Sequence, residues 1–141
     1  MIKPIFCLCL CLFAFPFLQA EEISIGPSVN SQEQLQEALI LAKPGDTINL
    51  QEGFYQFEDG LSLDIDNVKI IGAGMDKTVL SFADQKSGAQ GLLVTSDKVI
   101  LKDFAIEDAK GDALKVIGAN GIYMVNIRTC LLYTSPSQRD S

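Results

Sequence analysis

Three pairs of short β-rich runs recur along this chain in one order and at similar spacing. Leu61-Ser62-Leu63 leads to Val68-Lys69-Ile70, Leu92-Leu93-Val94 to Val99-Ile100-Leu101, and Leu114-Lys115-Val116 to Ile122-Tyr123-Met124. From Leu92 to Leu114 is 22 residues, whereas from Leu61 to Leu92 is 31, which assigns a surface insertion near 84–89 to the first repeat. Turn residues align as well. Asn67, Lys98 and Gly121 precede the second run of each pair, and Gly72, Asp103 and Asn126 follow it at one offset. A repeat of this period built from short strands predicts a stacked solenoid, in which each turn buries its apolar face only against its neighbours. Leu63, Ile70, Val94, Leu101, Val116 and Met124 are then predicted to point inward. The alternative is an antiparallel β-sandwich with a strand every eight to twelve residues or so.

One helix is predicted, over residues 31–42. Leu35, Ala38, Leu39 and Ala42 follow helical spacing, and Pro44-Gly45 ends the pattern. Ser31 with Gln34 three positions later has the form of a capping box. An open solenoid end exposes core and unpaired strand edges, and an amphipathic helix laid over it would cover both.

Both ends of the chain read as something other than fold. Lys3, the apolar stretch from Ile5 to Leu18, and Gln19-Ala20 before Glu21 form a secretory signal, cut after Ala20. Pro16 and the short apolar run argue against a membrane anchor, which wants about 20 apolar residues. The mature chain is therefore expected to be exported, to a periplasm or the extracellular space, with no membrane span. Residues 130–141, beginning Cys-Leu-Leu-Tyr-Thr-Ser, resemble a translated sequencing adapter, with Gln138 as the departure. The native part is then 21–129, the N-terminal portion of a domain that continues. It contains none of the four cysteines, so a disulfide scaffold is excluded even though export would permit one.

Charge and composition narrow the chemistry. Over 21–129 there are 17 acids and 9 bases, and the chain has no histidine. Excess negative charge disfavours nucleic acid as a partner. Triads and zinc or haem sites that need imidazole are absent from these residues.

The stretch Leu35-Gln36-Glu37-Ala38-Leu39, Ala42-Lys43-Pro44-Gly45-Asp46-Thr47-Ile48, Gly53-Phe54-Tyr55 resembles the opening of right-handed parallel β-helix proteins. So do Val68-Lys69-Ile70-Ile71-Gly72-Ala73-Gly74 and Thr78-Val79-Leu80. Such openings occur in pectate-lyase-like proteins, alginate C5-epimerases and an uncharacterised exported group, which the segment from Gly111 to Thr129 resembles most. The resemblance implies an all-β, right-handed parallel β-helix, of which this chain holds the N-terminal coils and a short capping helix. It is specific for fold rather than activity. In such lyases and epimerases the catalytic residues usually sit in central coils, beyond this chain, so catalytic residues stay unassigned.

Candidate chemistry within the chain is sparse. Asp103, Asp108 and Asp112 are the candidate metal ligands, with Glu107 beside them. Grouped at one edge they would suit Ca²⁺, which prefers oxygen ligands and would lower the C5 proton pKa of an acidic sugar. Solvated corner residues are the competing reading, since Asp and Asn accept left-handed turns. Lys110, Arg128 and Tyr123 are the candidate substrate-binding residues: two cations for an anionic polymer and a ring to stack on a sugar. Lys102 and Lys115 are further cations, and Tyr55 a further ring; the lysines read more readily as ordinary surface charges and the tyrosine as packing. Gly72-Ala73-Gly74-Met75-Asp76-Lys77 lacks the ending of a phosphate loop and precedes a strand, so its glycines read as turn residues. Asn67 and Asn126 are expected to join amide ladders between coils.

Two functions follow from different classes. One is a polysaccharide lyase or C5-epimerase acting on an acidic polymer. The other is a non-catalytic exported protein that binds glycans or serves as a surface scaffold. Either is expected to be monomeric at full length.

Overall fold

The computed structural model describes residues 19–130. Residues 1–18 of the expected leader and residues 131–141 of the expected adapter-like tail lie outside the described residues. In order, the elements are β1 (Glu22–Ile25), α1 (Ser31–Leu41), β2 (Thr47–Leu50), β3 (Gly53–Gln56) and β4 (Asp59–Leu63). They continue as β5 (Lys69–Ile71), β6 (Thr78–Ser81), β7 (Ser87–Val94), β8 (Ile100–Glu107), β9 (Leu114–Val116) and β10 (Tyr123–Cys130).

Every described strand pairing is parallel, in two sheets. The larger runs β1-β2-β5-β8-β6-β3, with β10 also on β8, and the smaller runs β4-β7-β9. Hairpin pairing, the basis of the sandwich alternative, is absent among the described residues. The pairing follows the sequence repeat: Lys69 meets Ile100 and Ile100 meets Tyr123, while Leu61 meets Leu92 and Leu92 meets Leu114.

β8 changes partner halfway along. Ile100–Lys102 pairs with β5, and residues 105–107 pair with β6. The bend between them is at Asp103, whose φ is 61°, and β10 bends at the matching Asn126, φ 53°. Asn126 Nδ2 donates to Asp103 Oδ1 across 2.9 Å, so the two bends are tied by a side-chain ladder. Asn67, by contrast, takes part through its main chain: its N–H donates to the Asp97 carbonyl and its own carbonyl accepts from Gly45. Asn67, Lys98 and Gly121 share positive φ, at 59°, 58° and 73°, and form the aligned corner that the sequence predicted. Beside them, Asp66 accepts the Asp97 N–H at 2.8 Å, and Asp97 accepts the Asn120 N–H at 2.9 Å. Short acidic side chains thus satisfy corner amides from one pass of the chain to the next.

Alternation along each strand sends one set of side chains inward. Ile48, Ile70 and Leu101 are buried in one row, and Leu63 with Val94 in another. Val116 and Met124 occupy the same rows but are exposed, at 39% and 54%, because no described strand lies beyond β9 and β10. Phe57 and Phe82 pack ring to ring in the interior, centroids 5.2 Å apart. The insertion is split. Gln56 and Leu61 pair with Ser81 and Leu92, leaving six extra residues there, close to where the sequence placed them. Asn49 and Gly53 pair with Ile71 and Thr78, leaving three more between β5 and β6. The buried Gln85 fastens the longer loop, donating to the Ser87 and Gln90 carbonyls and accepting the Lys110 N–H.

α1 packs against β1, β3 and β4, burying Leu35, Ala38 and Leu39, with Ala42 buried just past its end. Its N-cap is Asn30 without a side-chain cap bond, so the predicted capping box does not form. Ser31 lies inside the helix, and its hydroxyl accepts the Ser28 N–H and reaches the Gly26 carbonyl, bracing the preceding loop. Gln36 donates to the Ser62 carbonyl and accepts the Ser62 N–H. One turn earlier, Gln32 donates to the Asp59 carbonyl and accepts the Glu58 N–H. Two side-chain amides therefore stand in for a strand along the outer edge of β4.

Tyr55 is packing, not a surface ring. It is buried, with its hydroxyl 2.7 Å from the Gln51 carbonyl and 2.9 Å from the Ile25 carbonyl. Burial pushes its pKa up to about 12 from an ordinary 10.0. A raised folded-state pKa stabilises fully below the ordinary value, and that contribution disappears as pH climbs through the raised one. Tyr55→Phe is expected to cost about 1 kcal/mol at neutral pH by removing the hydroxyl's bonds to two carbonyls, each of which keeps another donor: the Gln51 N–H on Ile25 and the Thr78 hydroxyl on Gln51. It should also flatten the loss of stability between about pH 10 and 12. Denaturant titrations of both proteins across that window check this; parallel curves would refute it.

Candidate functional site

The larger sheet presents an outward face. Pairing places Glu22, Thr47, Lys69, Ile100 and Tyr123 in one row across it. Two positions along each strand, Ser24, Asn49, Ile71, Lys102 and Val125 form the next row. Lys69, Lys102 and Tyr123 are exposed there. Parallel strands lie about 4.8 Å apart, so Lys69 and Tyr123, two strands apart, stand about 10 Å from each other. The face combines two ammonium groups, an exposed ring, and the amide and hydroxyls of Asn49, Thr47 and Ser24. Such a strip can meet spaced carboxylates while the ring covers an apolar patch.

The three candidate substrate-binding residues are not brought together. Tyr123 starts β10 on this face. Arg128 lies beyond the bend at Asn126, paired with Ala105. Lys110 is in the loop after β8, where its N–H donates to Gln85. Arg128 is also already engaged. Its Nη2 lies 2.8 Å from Glu107 Oε1, and its Nη1 bonds the Asp76 carboxylate. Glu107 and then Asp76 raise its pKa further, so the guanidinium clips the turn between β5 and β6 onto β8.

The acidic candidates are dispersed in role. Asp103 holds the bend in β8 and accepts from Asn126. Asp108, φ 62°, turns the chain after β8 and donates its N–H to the Cys130 carbonyl. Asp112 is exposed, with Lys115 Nζ at 3.9 Å, a contact worth little at the surface. Among the described residues, no group of three or more His, Cys, Asp or Glu side chains is placed to hold a metal ion. The segment 72–77 is a turn, as expected: Gly72 and Gly74 donate to β8 carbonyls, and the Ala73 N–H goes to Thr78 Oγ1. No helix among the described residues is long and apolar enough to cross a membrane.

Sequence reasoning left Lys69 out and read Lys102 as ordinary surface charge. Carrying the repeat register one residue either side of the inward row would have placed both on the face with Tyr123. The buried Asp46 was also missed. Its Oδ2 accepts the Lys43 N–H at 2.8 Å and its Oδ1 the Glu21 N–H at 2.9 Å. Those two bonds, Lys43 first, hold its pKa below the usual carboxylate value. No protein-family model matches the chain, and no curated protein matches it.

Proposed function

We propose that this chain is the N-terminal part of an exported, right-handed parallel β-helix protein that holds an acidic polysaccharide along the outward face of the β1-β2-β5-β8-β10 ladder. Lyase or C5-epimerase chemistry on the bound polymer is the enzymatic form of this reading, and it would fall to residues outside those described. The observation that carries the reading is the register that puts Lys69, Lys102 and Tyr123 on one face of the sheet. An open strip suits a chain-like ligand better than a compact one, and its cations locally offset an otherwise acidic protein.

The second reading, a non-catalytic glycan-binding or scaffold protein, is favoured by one observation. On that face the only described carboxylate in either row is Glu22, and it stands three strands from Ile100. Titration of the secreted protein with polygalacturonate, alginate and neutral dextran tests the face. The two uronate polymers are expected to bind and dextran not to. Lys69→Glu with Lys102→Glu should lower affinity about tenfold or more, and added salt should do the same. Equal binding by the double variant would refute this surface. Release of unsaturated uronate, read by ultraviolet absorbance, separates a lyase from a binder.

A further inference from the structure

The carboxylate of Asp46 sits 2% exposed where three segments meet. Through its side chain it holds the N–H of Lys43, just past α1, and the N–H of Glu21, just before β1. Through its main chain it accepts the Lys69 N–H at 3.0 Å. The Thr47 N–H, next in sequence, donates to the Glu21 carbonyl at 2.9 Å. Gln19 and Ala20 are exposed, so the chain turns outward immediately before the nitrogen that Asp46 holds. That nitrogen belongs to the residue which follows the expected cleavage point.

We propose that removal of the leader turns the backbone nitrogen of Glu21 into the cation of an ion pair with Asp46, so that processing itself locks β1 onto the sheet. The inference rests on the reading of residues 1–20 as a cleaved signal. Hydrolysis of the Ala20–Glu21 peptide bond adds water, giving Ala20 a carboxylate and Glu21 an α-ammonium. Before cleavage the buried carboxylate is held only by neutral amide donors. Afterwards one donor carries full charge at the same 2.9 Å position. Charge-assisted hydrogen bonds are roughly twice as strong as neutral ones. The remaining ammonium protons face the space that Ala20 leaves, on the solvent side. Other charged groups near this nitrogen are few: the Lys43 ammonium, which also acts on Asp46, the side chains of Glu21 and Glu22, and Lys69 on β5.

An ammonium paired in this way has a raised pKa, so its stabilisation is complete below the ordinary amine value of about 7.7–8.0 and disappears as pH rises through the raised one. The test compares full-length chains that begin at Glu21, with a free or an acetylated amine, and a chain that keeps Ala20. Each is made by a tag protease that leaves no extra residue. At pH 6 the free-amine chain is expected to melt about 5 °C or more above both others. The gap should close by about pH 10, and the amine should titrate about one unit or more above its ordinary value, a tenfold gain in proton affinity. Asp46→Asn should remove the gap while leaving each protein folded enough to melt cooperatively. Equal melting of free and acetylated chains overturns the ion pair, as does a gap that survives in Asp46→Asn. Where the asparagine variant fails to fold, the amine titration alone decides. Mass analysis of the secreted protein tests the leader separately: a first residue other than Glu21 refutes the cleavage reading, whereas the tag-derived chains still judge the pair.

Discussion

Phe82→Ala is expected to destabilise the protein by about 4 kcal/mol, a large share of the roughly 5–15 kcal/mol that holds a domain of this size together. Phe82 has no exposed surface and packs on Phe57, whose ring lies 5.2 Å away. Its N–H is fixed to the Glu107 carbonyl at 2.9 Å, so the backbone cannot shift inward to fill the hole. Ile106 and Gly91 line the far side: a Cβ added to Gly91 would lie 3.1 Å from both Ile106 and the Phe82 ring. Removing the ring therefore loses contacts to three consecutive passes of the chain at once. Phe82→Leu, which keeps most of the volume, should cost only about 1–1.5 kcal/mol. Urea titrations at constant slope measure both, and a cost for alanine close to that for leucine would show that the interior collapses around the gap.

The second large effect is at Asp103. Asp103→Ile should cost about 2–3 kcal/mol, because a β-branched side chain at φ 61° is strained by about 1–2 kcal/mol and the ladder bond from Asn126 is lost. Asp103→Asn should be close to neutral, since asparagine tolerates the left-handed bend and still offers an oxygen to Asn126. Thermal melts of the two variants distinguish a backbone role from a charge role. A large loss in Asp103→Asn would mean that the carboxylate's charge, not its shape, is what the bend requires.

Asp103 also shows what the sequence disclosed and what it concealed. Its alignment with Gly72 and Asn126 was visible from spacing, and that alignment is a row of bends. The same residue, counted as one of several nearby acids, looked like a metal ligand. Spacing reports periodicity along the chain; it does not report which atoms a turn residue already bonds. The parallel pairing and the inward rows were legible for the same reason, because two strands one repeat apart must present like residues to like neighbours. The capping box failed because a serine at that position found closer acceptors in the preceding loop, at Gly26 and Ser28. In the sequence Arg128 stands as a candidate substrate-binding cation, because its partners lie far away along the chain, Asp76 at 52 residues and Glu107 at 21. Lys69 and Lys102 carried no motif at all. Their shared face exists only once the register is applied to the outward side chains as well as the inward ones.

The spacing of the pairings bears on how the chain reaches this state. Thr47 pairs with Lys69, Lys69 with Ile100 and Ile100 with Tyr123, so each new strand closes a loop of 22, 31 or 23 residues on the one before it. Closure entropy grows only logarithmically with loop length, so these steps differ by a few tenths of a kcal/mol at most. Folding can then advance from the helix-covered end like a zipper, in the order in which residues leave a ribosome. Lengthening such a chain would add steps without making any single step harder, and the search time would grow with the number of passes rather than with their combinations.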